Sequence, residues 1–304
     1  MLFRLTAFAL LIGIAALRAE TVAFRTMEQK IHAAIAKFKG NVWLAAKNLE
    51  TGKSYGVRQD ERVRTASTIK LPILVAVHAA VEAGKATWTD QLPMADKSKV
   101  SGSGVLSEFT GGQRFFLRDL CNLMIVVSDN TATNLIIDRF TADYVNEVMD
   151  TLELPATRSM RKILGDGTNL KPQPEGLSKA GEIEENKRFG IGSSTPAEMV
   201  KLLEGLHKGT VVSPAASKQI VEVLRRQQFK DGIGRRFNDR VPVMSKSGSL
   251  DALRSDVGLI YVPQQGKFAI AITVDDMPRI DYSPDNVGTL LIAELTGYLL
   301  AGLR

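Results

Sequence analysis

The order of apolar and polar positions along the chain predicts a helix, a pair of strands and then a buried helix. Apolar residues recur at helical spacing over Met27–Lys39, and the following stretch, VWLAAKNLETGKSYGVR, has the pattern of a hairpin with its turn at Thr51–Gly52. Thr65–Gly84 is apolar on nearly every side after Lys70. A helix of that kind belongs in the centre of a protein.

The second half of the chain remains helical at first and then changes to the period of strands. Leu117–Phe140 has helical spacing, residues 160–195 lose their periodicity, and Pro196–Leu206 is helical again. From Val241 onward, VPVMSKSGS, SDVGLIYVP and GKFAIAITV are strand-like, and Ser283–Leu303 predicts a closing helix. Strands joined by short turns pair antiparallel. The sequence therefore predicts an α+β fold, in which an antiparallel sheet of about five strands is flanked by helices and carries an inserted all-helical lobe.

The N-terminal segment, MLFRLTAFALLIGIAALRAE, has the pattern of a secretory signal. A cation at Arg4 precedes an apolar stretch, Leu5–Leu17, that is shorter than the ~20 residues of a membrane span. We therefore predict that residues 1–19 are a signal peptide, and that the protein is exported to the periplasm or secreted, without a membrane span after processing. An uncleaved anchor is the alternative.

The remaining residues, 20–304, are expected to form a single domain, because the chain shows no internal repeat and no linker. The helical lobe is predicted at about residues 65–210, and the sheet lobe at residues 20–64 and 211–304. A chain of 304 residues, 44% hydrophobic and 24% charged, is long and apolar enough to bury a core shared by both lobes.

Charge and metal-binding residue types exclude several classes of function. The 39 Lys and Arg against 33 Asp and Glu give a net charge of +6 that is scattered, whereas a nucleic-acid groove needs a concentrated basic patch. Cys121 is the lone cysteine, so no internal disulfide can form. His78 and Glu82 are four residues apart, but a catalytic zinc site needs a third ligand. We predict a monomer without metal, cofactor or nucleic-acid partner that acts on a small molecule.

Ser67 and Lys70 form a candidate catalytic pair at the start of the central apolar helix. They are three residues apart, so the lysine amine can reach the serine hydroxyl. Serine needs a base to become a nucleophile, and a lysine at the edge of an apolar core can have its pKa lowered enough to serve. His78 cannot serve, since it lies about 16 Å further along the helix at ~1.5 Å per residue.

Two further motifs follow this pair along the chain. Residues 128–130 (SDN) lie in the helical block, and residues 246–248 (KSG) lie on a predicted strand. S-x-x-K, S-D-N and K-T-G together are the motif set of class A β-lactamases and penicillin-binding proteins. The chain after the signal resembles this family almost end to end, in TASTIKLPIL, RDLCNLMIVVSDNTATNLI, SSTP and KSGSLDALRSDVGLIYVP. The resemblance implies a β-lactamase/transpeptidase-like fold and an active-site serine hydrolase without a cofactor.

The resemblance also implies a role for each residue that handles the scissile bond. Ser67 is the nucleophile, Lys70 is its base for acylation, and Ser128 is the proton shuttle to the leaving nitrogen. Asn130 contacts the substrate amide. The main-chain N–H groups of Ser67 and Ser249 form the oxyanion hole, where the loss of one donor typically costs ~10²–10³ in rate.

An anchor for a substrate carboxylate is implied as well. Lys246 and Ser247, with Gly248 in the same motif and Arg254 nearby, would bind the carboxylate that ends a β-lactam or a D-Ala-D-Ala peptide. Gly102–Leu106 (GSGVL) forms either the rim of the pocket opposite this strand or a plain glycine turn.

The chain departs from the family in the loop that precedes SSTP. Class A β-lactamases carry a glutamate there, followed by P-x-L-N, which activates the deacylating water. Here residues 161–166 are RKILGD, and counting from Asn130 reaches Leu164, while counting back from Pro196 reaches Lys179. Asp166 is the best substitute by position. The carboxylates that a folded loop could deliver are Asp166, Glu175 and Glu182.

Three functions fit this set of residues. The first is a β-lactamase that forms an acyl-enzyme and hydrolyses the β-lactam amide with slow or atypical deacylation. The second is a D,D-peptidase or penicillin-binding enzyme that acts on cell-wall peptides. The third is a sensor that binds β-lactams without turnover. Because the whole reactive set is present and the similarity covers the chain, the first function is preferred.

The serine assignment predicts that Ser67→Ala abolishes covalent labelling by β-lactams, because Oγ is the only bond-forming atom assigned. Intact mass spectrometry after mixing with a penicillin measures the adduct, and circular dichroism checks that the variant is folded. Labelling of another residue at the same rate in the folded variant would show that the nucleophile is wrong.

Overall fold

The computed structural model describes residues 2–165, 176–237 and 240–304, with side chains from residue 20 onward. The strands in these residues are β1 (Asn41–Asn48), β2 (Ser54–Val57), β3 (Val63–Arg64), β4 (Gln91–Met94), β5 (Gln113–Phe116), β6 (Arg158–Ser159), β7 (Gly192–Ser194), β8 (Val243–Leu250), β9 (Leu253–Val262) and β10 (Gly266–Asp275). The α-helices are α1 (Leu2–Lys37), α2 (Lys70–Glu82), α3 (Leu117–Val126), α4 (Asn130–Phe140), α5 (Ala142–Thr151), α6 (Lys179–Glu182), α7 (Pro196–Lys208), α8 (Pro214–Arg225) and α9 (Val287–Gly302). Short 3-10 helices cover Ala66–Ile69, Asp96–Ser98, Leu106–Glu108 and Glu184–Phe189.

The largest sheet has five antiparallel strands in the order β2-β1-β10-β9-β8. Its strands come from both ends of the chain, because β1 pairs with β10 along its full length, from Asn41 opposite Asp275 to Asn48 opposite Phe268. The helical middle of the chain is thus inserted between β2 and β8. This arrangement confirms the predicted α+β fold, and it leaves β8 at the edge of the sheet.

The sheet separates two hydrophobic cores because successive side chains along a strand point to opposite faces. On β8, Met244 packs into a core built mainly from α2, α3, α4, α5 and α7, whereas Val243 packs into the core under α1 and α9. β9 and β10 are buried over most of their length, as strands covered on both faces are. The central strands therefore hold the two layers of helices in a fixed relation to β8.

Side chains that were recognisable in the sequence start several of the helices. Thr195 accepts a hydrogen bond from the Glu198 N–H at 3.0 Å and Pro196 occupies the first turn, which confirms the start predicted for α7. Asn286 caps α9 in the same way, by accepting from Gly288 and Thr289. The closing helix therefore begins at Val287 and not at Ser283 as predicted.

The segment predicted to be loop-like, residues 160–195, contains short regular elements among its described residues. α6 and β7 lie there, and β7 pairs with β6 and with β3, so that Ser194 lies opposite Val63. Strands of two or three residues are too short to produce a periodic pattern in the sequence. The small sheet that they form supports the chain that leads to Ser67, because the Thr65 N–H donates to the Gly192 carbonyl at 3.0 Å.

Helix α1 runs without a break from Leu2 to Lys37 and so includes the predicted signal segment. Among the described residues, no helix is both long enough and apolar enough to cross a membrane.

Candidate active site

Ser67 lies on the 3-10 helix Ala66–Ile69, immediately before α2. A side-chain hydrogen bond stabilises this tight turn, since Thr68 Oγ1 donates to the Thr65 carbonyl at 2.8 Å. Within the turn, Ala66 adopts a φ of +46°. β8 closes over the turn at Gly248, where an added Cβ would lie 2.8 Å from the Thr65 carbonyl oxygen and 2.9 Å from the Ser67 nitrogen. Only glycine allows the strand to approach the serine so closely.

Lys70 begins α2 and is completely buried. Its Nζ donates to the Ser128 carbonyl at 2.7 Å, to Asn130 Oδ1 at 2.9 Å and to Ser128 Oγ at 3.2 Å. The predicted contact between Lys70 and the Ser67 hydroxyl is not among the hydrogen bonds of the described residues. All three donors of the amine are directed to the turn at residues 128–130, and Ser67 lies on the 3-10 helix rather than in the first turn of α2.

The residues 128–130 form a turn between α3 and α4. Ser128 has a φ of +57°, in the left-handed region that non-glycine residues seldom occupy, and this conformation directs both its carbonyl and its hydroxyl to Lys70. The buried carboxylate of Asp129 accepts hydrogen bonds from the Ala132, Val105 and Leu106 N–H groups at 2.7–2.8 Å. Asp129 therefore caps α4 and holds the GSGVL segment against it.

Two residues of the GSGVL segment, Gly102 and Ser103, line the site together with Ser67 and Ser128. The Asn130 N–H donates to the Ser103 carbonyl at 2.9 Å, and Asn130 Nδ2 donates to the Ser101 carbonyl at 2.9 Å. Gly104 has a φ of +112°, and a Cβ there would lie 2.3 Å from Asp129 Oδ2. The glycine is therefore required both by the turn and by the close approach of the carboxylate.

Lys246 on β8 is the second completely buried lysine of the site. Its Nζ donates to the Ser247 carbonyl at 2.7 Å and to Gln227 Oε1 at 3.4 Å. The same Gln227 oxygen accepts from the Ser247 N–H at 2.7 Å and from Ser247 Oγ at 3.0 Å. Gln227 is a residue that sequence reasoning missed, since a single glutamine after α8 belongs to no motif.

Burial is the largest influence on the charge state of each lysine. Burial lowers the pKa of Lys70 well below its ordinary value, the charge of Lys246 lowers it further, and Asp129 opposes the shift. Burial lowers the pKa of Lys246 to about 7, with Asp256 opposing the change. Burial in turn raises the pKa of Asp256 to about 6. Burial therefore favours the neutral form of both lysines, and at Lys70 the neighbouring charge of Lys246 favours it further.

Arg254 lines the site, but its hydrogen bonds are with the main chain. The guanidinium donates to the carbonyls of Leu250 and Leu253 at 2.5 Å each and to that of Asp281, and it stacks on Tyr282 at 4.9 Å from the ring centre. These contacts brace the turn between β8 and β9. The guanidinium is thus already bound to main-chain carbonyls, whereas the sequence predicted that it would bind a substrate carboxylate.

A cleft of about 1060 Å³ joins these residues. Most of the predicted site residues lie along its wall, namely Ser67, Ser128, Asn130, Ser247, Gly248, Ser249 and Arg254. Lys70 and Lys246 lie directly behind this wall, buried against Ser128 and Ser247. The sequence motifs, which are far apart along the chain, therefore meet at a single site.

The segment 161–165 forms another part of the cleft wall. Asn134 fixes it, since its Oδ1 accepts from the Ile163 N–H and its Nδ2 donates to the Ile163 carbonyl, both at 2.8 Å. Asn134 lies one turn of α4, about 5.4 Å, beyond Asn130, which contacts Lys70. Ile163 is therefore anchored one helical turn from the asparagine that binds Lys70, and Leu164 follows it along the cleft.

The carboxylates proposed to replace the family glutamate have different positions. Asp166 and Glu175 lie outside the described residues. Glu182 ends α6 with its side chain exposed, and it does not line the cleft. The carboxylates that do line the cleft, among the described residues, all belong to β9 or to loops next to β8 and β9: Asp231, Asp251 and Asp256.

Comparison with known proteins identifies the family of this chain. The family model described as "Beta-lactamase enzyme family" matches residues 26–300. The chain belongs to the beta-lactamase enzyme family. It is 27% identical over 227 residues to a beta-lactamase of Rhodobacter capsulatus, which covers 74% of this chain and 71% of that protein.

Solved structures show the same fold for this family member. The beta-lactamase of Sphaerobacter thermophilus superposes with a TM-score of 0.76 and 29% identity, covering 91% of this chain and 97% of that chain. PBP-A, solved as a leucine-to-glutamate mutant in an acyl-enzyme complex with penicillin G, superposes with a TM-score of 0.75 at 24% identity, covering 91% and 95%. This beta-lactamase family member is a serine beta-lactamase-like hydrolase.

The two lysine pKa values predict how catalysis depends on pH. Since the pKa of Lys246 is about 7, the lysine loses its charge above that pH, and kcat/KM for a carboxylate-bearing β-lactam should fall. Because the pKa of Lys70 is lowered, this base should remain neutral at pH values below the ordinary pKa of a lysine. Lys246→Arg keeps the charge at all these pH values, so the fall should move to higher pH. An unchanged alkaline limb in Lys246→Arg would exclude Lys246 as its cause.

The hydrogen bonds of Asp129 predict that Asp129→Ala affects both stability and chemistry. The substitution leaves three N–H groups without their acceptor, so the free energy of unfolding should fall by about 1–3 kcal/mol. Urea denaturation measures this change, and the labelling rate of Ser67 should fall with it because the GSGVL segment is released. Ser213→Ala, which removes the cap of α8 on the surface, is the control and should leave the labelling rate unchanged.

Proposed function

We propose that this protein is an exported serine hydrolase that β-lactams acylate at Ser67 and that releases the acyl group slowly. The family membership supports a serine β-lactam hydrolase in general. Export follows from the signal pattern of residues 1–19. The geometry of the cleft supports both acylation at Ser67 and slow hydrolysis of the acyl-enzyme.

Acylation begins with attack of Ser67 Oγ on the carbonyl carbon of the lactam. Lys70 takes the serine proton in its neutral form, which its lowered pKa favours and which has a lone pair in place of one N–H donor. The C–N bond of the lactam then breaks, and the departing nitrogen takes a proton from Ser128 Oγ. Lys70 Nζ lies 3.2 Å from Ser128 Oγ and restores that proton, so both residues end in their initial state.

The oxyanion that forms during attack would lie between Ser67 and β8. The Ser247 N–H points outward from the edge of the sheet, toward Gln227. Because N–H groups two residues apart point to the same side of a strand, the Ser249 N–H also points outward. The close approach of Gly248 to the Ser67 nitrogen brings the two proposed donors, Ser67 N–H and Ser249 N–H, to the same part of the cleft.

The carboxylate of the substrate is proposed to bind at Lys246 and Ser247. Ser247 Oγ faces Gln227 and lines the cleft, with the Lys246 amine behind it. An incoming carboxylate would favour the charged form of Lys246 and would accept a hydrogen bond from the Ser247 hydroxyl. Gln227 then holds the pair in place through its acceptor oxygen. Arg254, which remains a candidate by the resemblance, would have to give up main-chain contacts to take part.

The pairing of Asn134 with Ile163 is the observation that carries slow deacylation. Water must be activated by a base on the cleft wall next to the acyl-enzyme, where the family resemblance expects a glutamate. In this chain that wall holds Ile163 and Leu164, whose side chains cannot accept a proton. Acylation needs neither residue. The acyl-enzyme should therefore form readily and persist.

The same apolar wall favours a second candidate, a D,D-peptidase of the penicillin-binding type. In such an enzyme the natural substrate is a peptide ending in D-Ala-D-Ala, and long-lived acylation by penicillin is an inhibitory side reaction. The mutant of PBP-A, in which a glutamate replaces a leucine, shares the fold and is described as an acyl-enzyme complex with penicillin G. Both candidates require the same acylation chemistry at Ser67.

One experiment separates the candidates. The purified protein is mixed with benzylpenicillin, with a chromogenic cephalosporin and with a D-Ala-D-Ala peptide, and intact mass and product release are followed over time. A burst of one equivalent followed by a slow steady state supports slow deacylation. Release of D-Ala faster than turnover of either β-lactam would favour the peptidase. Rapid hydrolysis of β-lactam without an adduct would contradict slow deacylation.

The position of Ile163 predicts that Ile163→Glu speeds deacylation of the benzylpenicillin adduct at least tenfold. The main chain there is anchored by Asn134, so the new carboxylate would stand near Lys70 and could activate water. Leu164→Glu is the matched control, because that residue lines the same wall without the Asn134 anchor. Acylation rates should stay within a few-fold in both variants.

Asp166→Asn is the test of the alternative base. If Ile163 marks the place of the missing base, this variant should deacylate at the wild-type rate. A slower deacylation in Asp166→Asn, with no gain in Ile163→Glu, would assign the base to Asp166.

A further inference from the structure

Arg161 differs from the other arginines that line the cleft in the described part of the chain. Arg64 forms a two-point ion pair with Asp275, at 2.5 and 2.8 Å, and Arg254 is bound to three main-chain carbonyls. Arg161 donates one hydrogen bond, from Nη1 to the carbonyl of Lys162 at 3.0 Å. Since a guanidinium has five N–H donors, most of those of Arg161 have no partner among the described residues.

The surroundings of Arg161 are costly for an unpaired cation. The side chain is half-buried, and burial lowers its pKa. The acid that pairs with the adjacent Lys162 is Asp138, at 2.8 Å, and it is therefore already used. Gly190, which faces the guanidinium, has no side chain to fill the space, and an added Cβ would still lie 3.9 Å from Nη2. The site therefore has a cation, free donors and room beside it.

The position of Arg161 places it on the side of the cleft that would receive the acyl part of the substrate. Lys246 on β8 is the proposed anchor for the carboxylate on the leaving-group side. Asn130, the proposed contact for the acyl amide, lies one turn of α4 from Asn134, which anchors the 161–165 segment through Ile163. Arg161 therefore belongs to the wall that faces the acyl group.

The charged residues of the cleft are distributed differently over its two walls. The carboxylates that line it, among the described residues, are Asp231, Asp251 and Asp256, and all belong to the β8–β9 side. The wall formed by residues 161–165 contributes Arg161 and apolar neighbours only. An acyl group with a negative charge would meet a guanidinium whose donors are mostly unused by the described residues, whereas one with a positive charge would be repelled.

We propose that Arg161 is a specificity-determining residue that binds a carboxylate on the acyl side of the substrate. The proposal rests on the proposed function in taking Ser67 as the point of attack and in placing the acyl amide at Asn130 and the leaving-group carboxylate at Lys246. A planar guanidinium matches a carboxylate with two parallel hydrogen bonds, and this geometry favours an anionic acyl chain over a neutral or cationic one of the same size.

Three penicillins that share a phenyl side chain provide the probes. Carbenicillin carries a carboxylate beside the ring, benzylpenicillin carries no charge there, and ampicillin carries an ammonium group. The second-order acylation rate at Ser67 is measured for each at low and moderate salt. We expect the wild type to prefer carbenicillin to ampicillin, and Arg161→Gln to lower the ratio of carbenicillin to benzylpenicillin rates about tenfold, as loss of a charge-assisted pair implies.

Two further variants make the result specific. Arg161→Lys keeps the charge but not the two-point geometry, so it should restore only part of the preference. Arg188→Gln removes an exposed positive charge that stacks on Phe189, and it should leave the preference unchanged. A wild type without preference for the dianion, or a preference that survives in Arg161→Gln, would overturn the proposal.

Equilibrium binding separates this proposal from the proposed function. The affinities of the same three penicillins are measured on Ser67→Ala and on Ser67→Ala with Arg161→Gln, where no acylation is needed. A chain that forms no adduct at Ser67 contradicts the proposed function alone, because the binding preference is still read from these proteins. Equal affinities of both proteins for carbenicillin contradict the role of Arg161.

Discussion

Two buried amines constrain the whole active site. Lys70 and Lys246 are both completely excluded from solvent, and the charge of Lys246 lowers the pKa of Lys70 beyond the effect of burial. Their donors nevertheless need acceptors, since a buried polar group without a partner is costly. The turn at residues 128–130 supplies the acceptors for Lys70, and Gln227 with the Ser247 carbonyl supplies those for Lys246. The unusual backbone of Ser128 is a consequence of this requirement.

The walls of the cleft are held by side chains that bond to the main chain of other segments. Asp129 binds the N–H groups of Val105 and Leu106, and Asn134 binds both peptide groups of Ile163. Each of these side chains is buried and each comes from α4 or the turn before it. One helix therefore fixes the positions of two loops that have little regular structure of their own. Chemistry at the site depends on α4 as much as on the helix that carries Lys70.

The sequence predicted the sheet and the motif residues because both leave local signals. β9 and β10 contain apolar stretches bounded by turns, and the three motifs contain residue types that work only together. Gln227 and the Asn134–Ile163 pairing leave no such signal, since a hydrogen bond between distant segments depends on the tertiary fold. Arg254 lies at the cleft, as its position in the sequence suggests, but its guanidinium donates to three main-chain carbonyls that the sequence does not reveal. Residue type and spacing do not reveal which donors are already used.

The position of β8 at the sheet edge has a consequence for what the cleft can hold. An edge strand offers unpaired peptide groups, and proteins normally protect such an edge because another chain can add to it. Here Gln227 covers the outward N–H of Ser247 but leaves the edge accessible at Ser249, next to the serine. A peptide in extended form could continue the sheet by one strand at this point. Main-chain hydrogen bonds to β8 would then contribute to substrate binding in addition to side-chain contacts. The edge that most sheets protect would serve as a binding surface in this one.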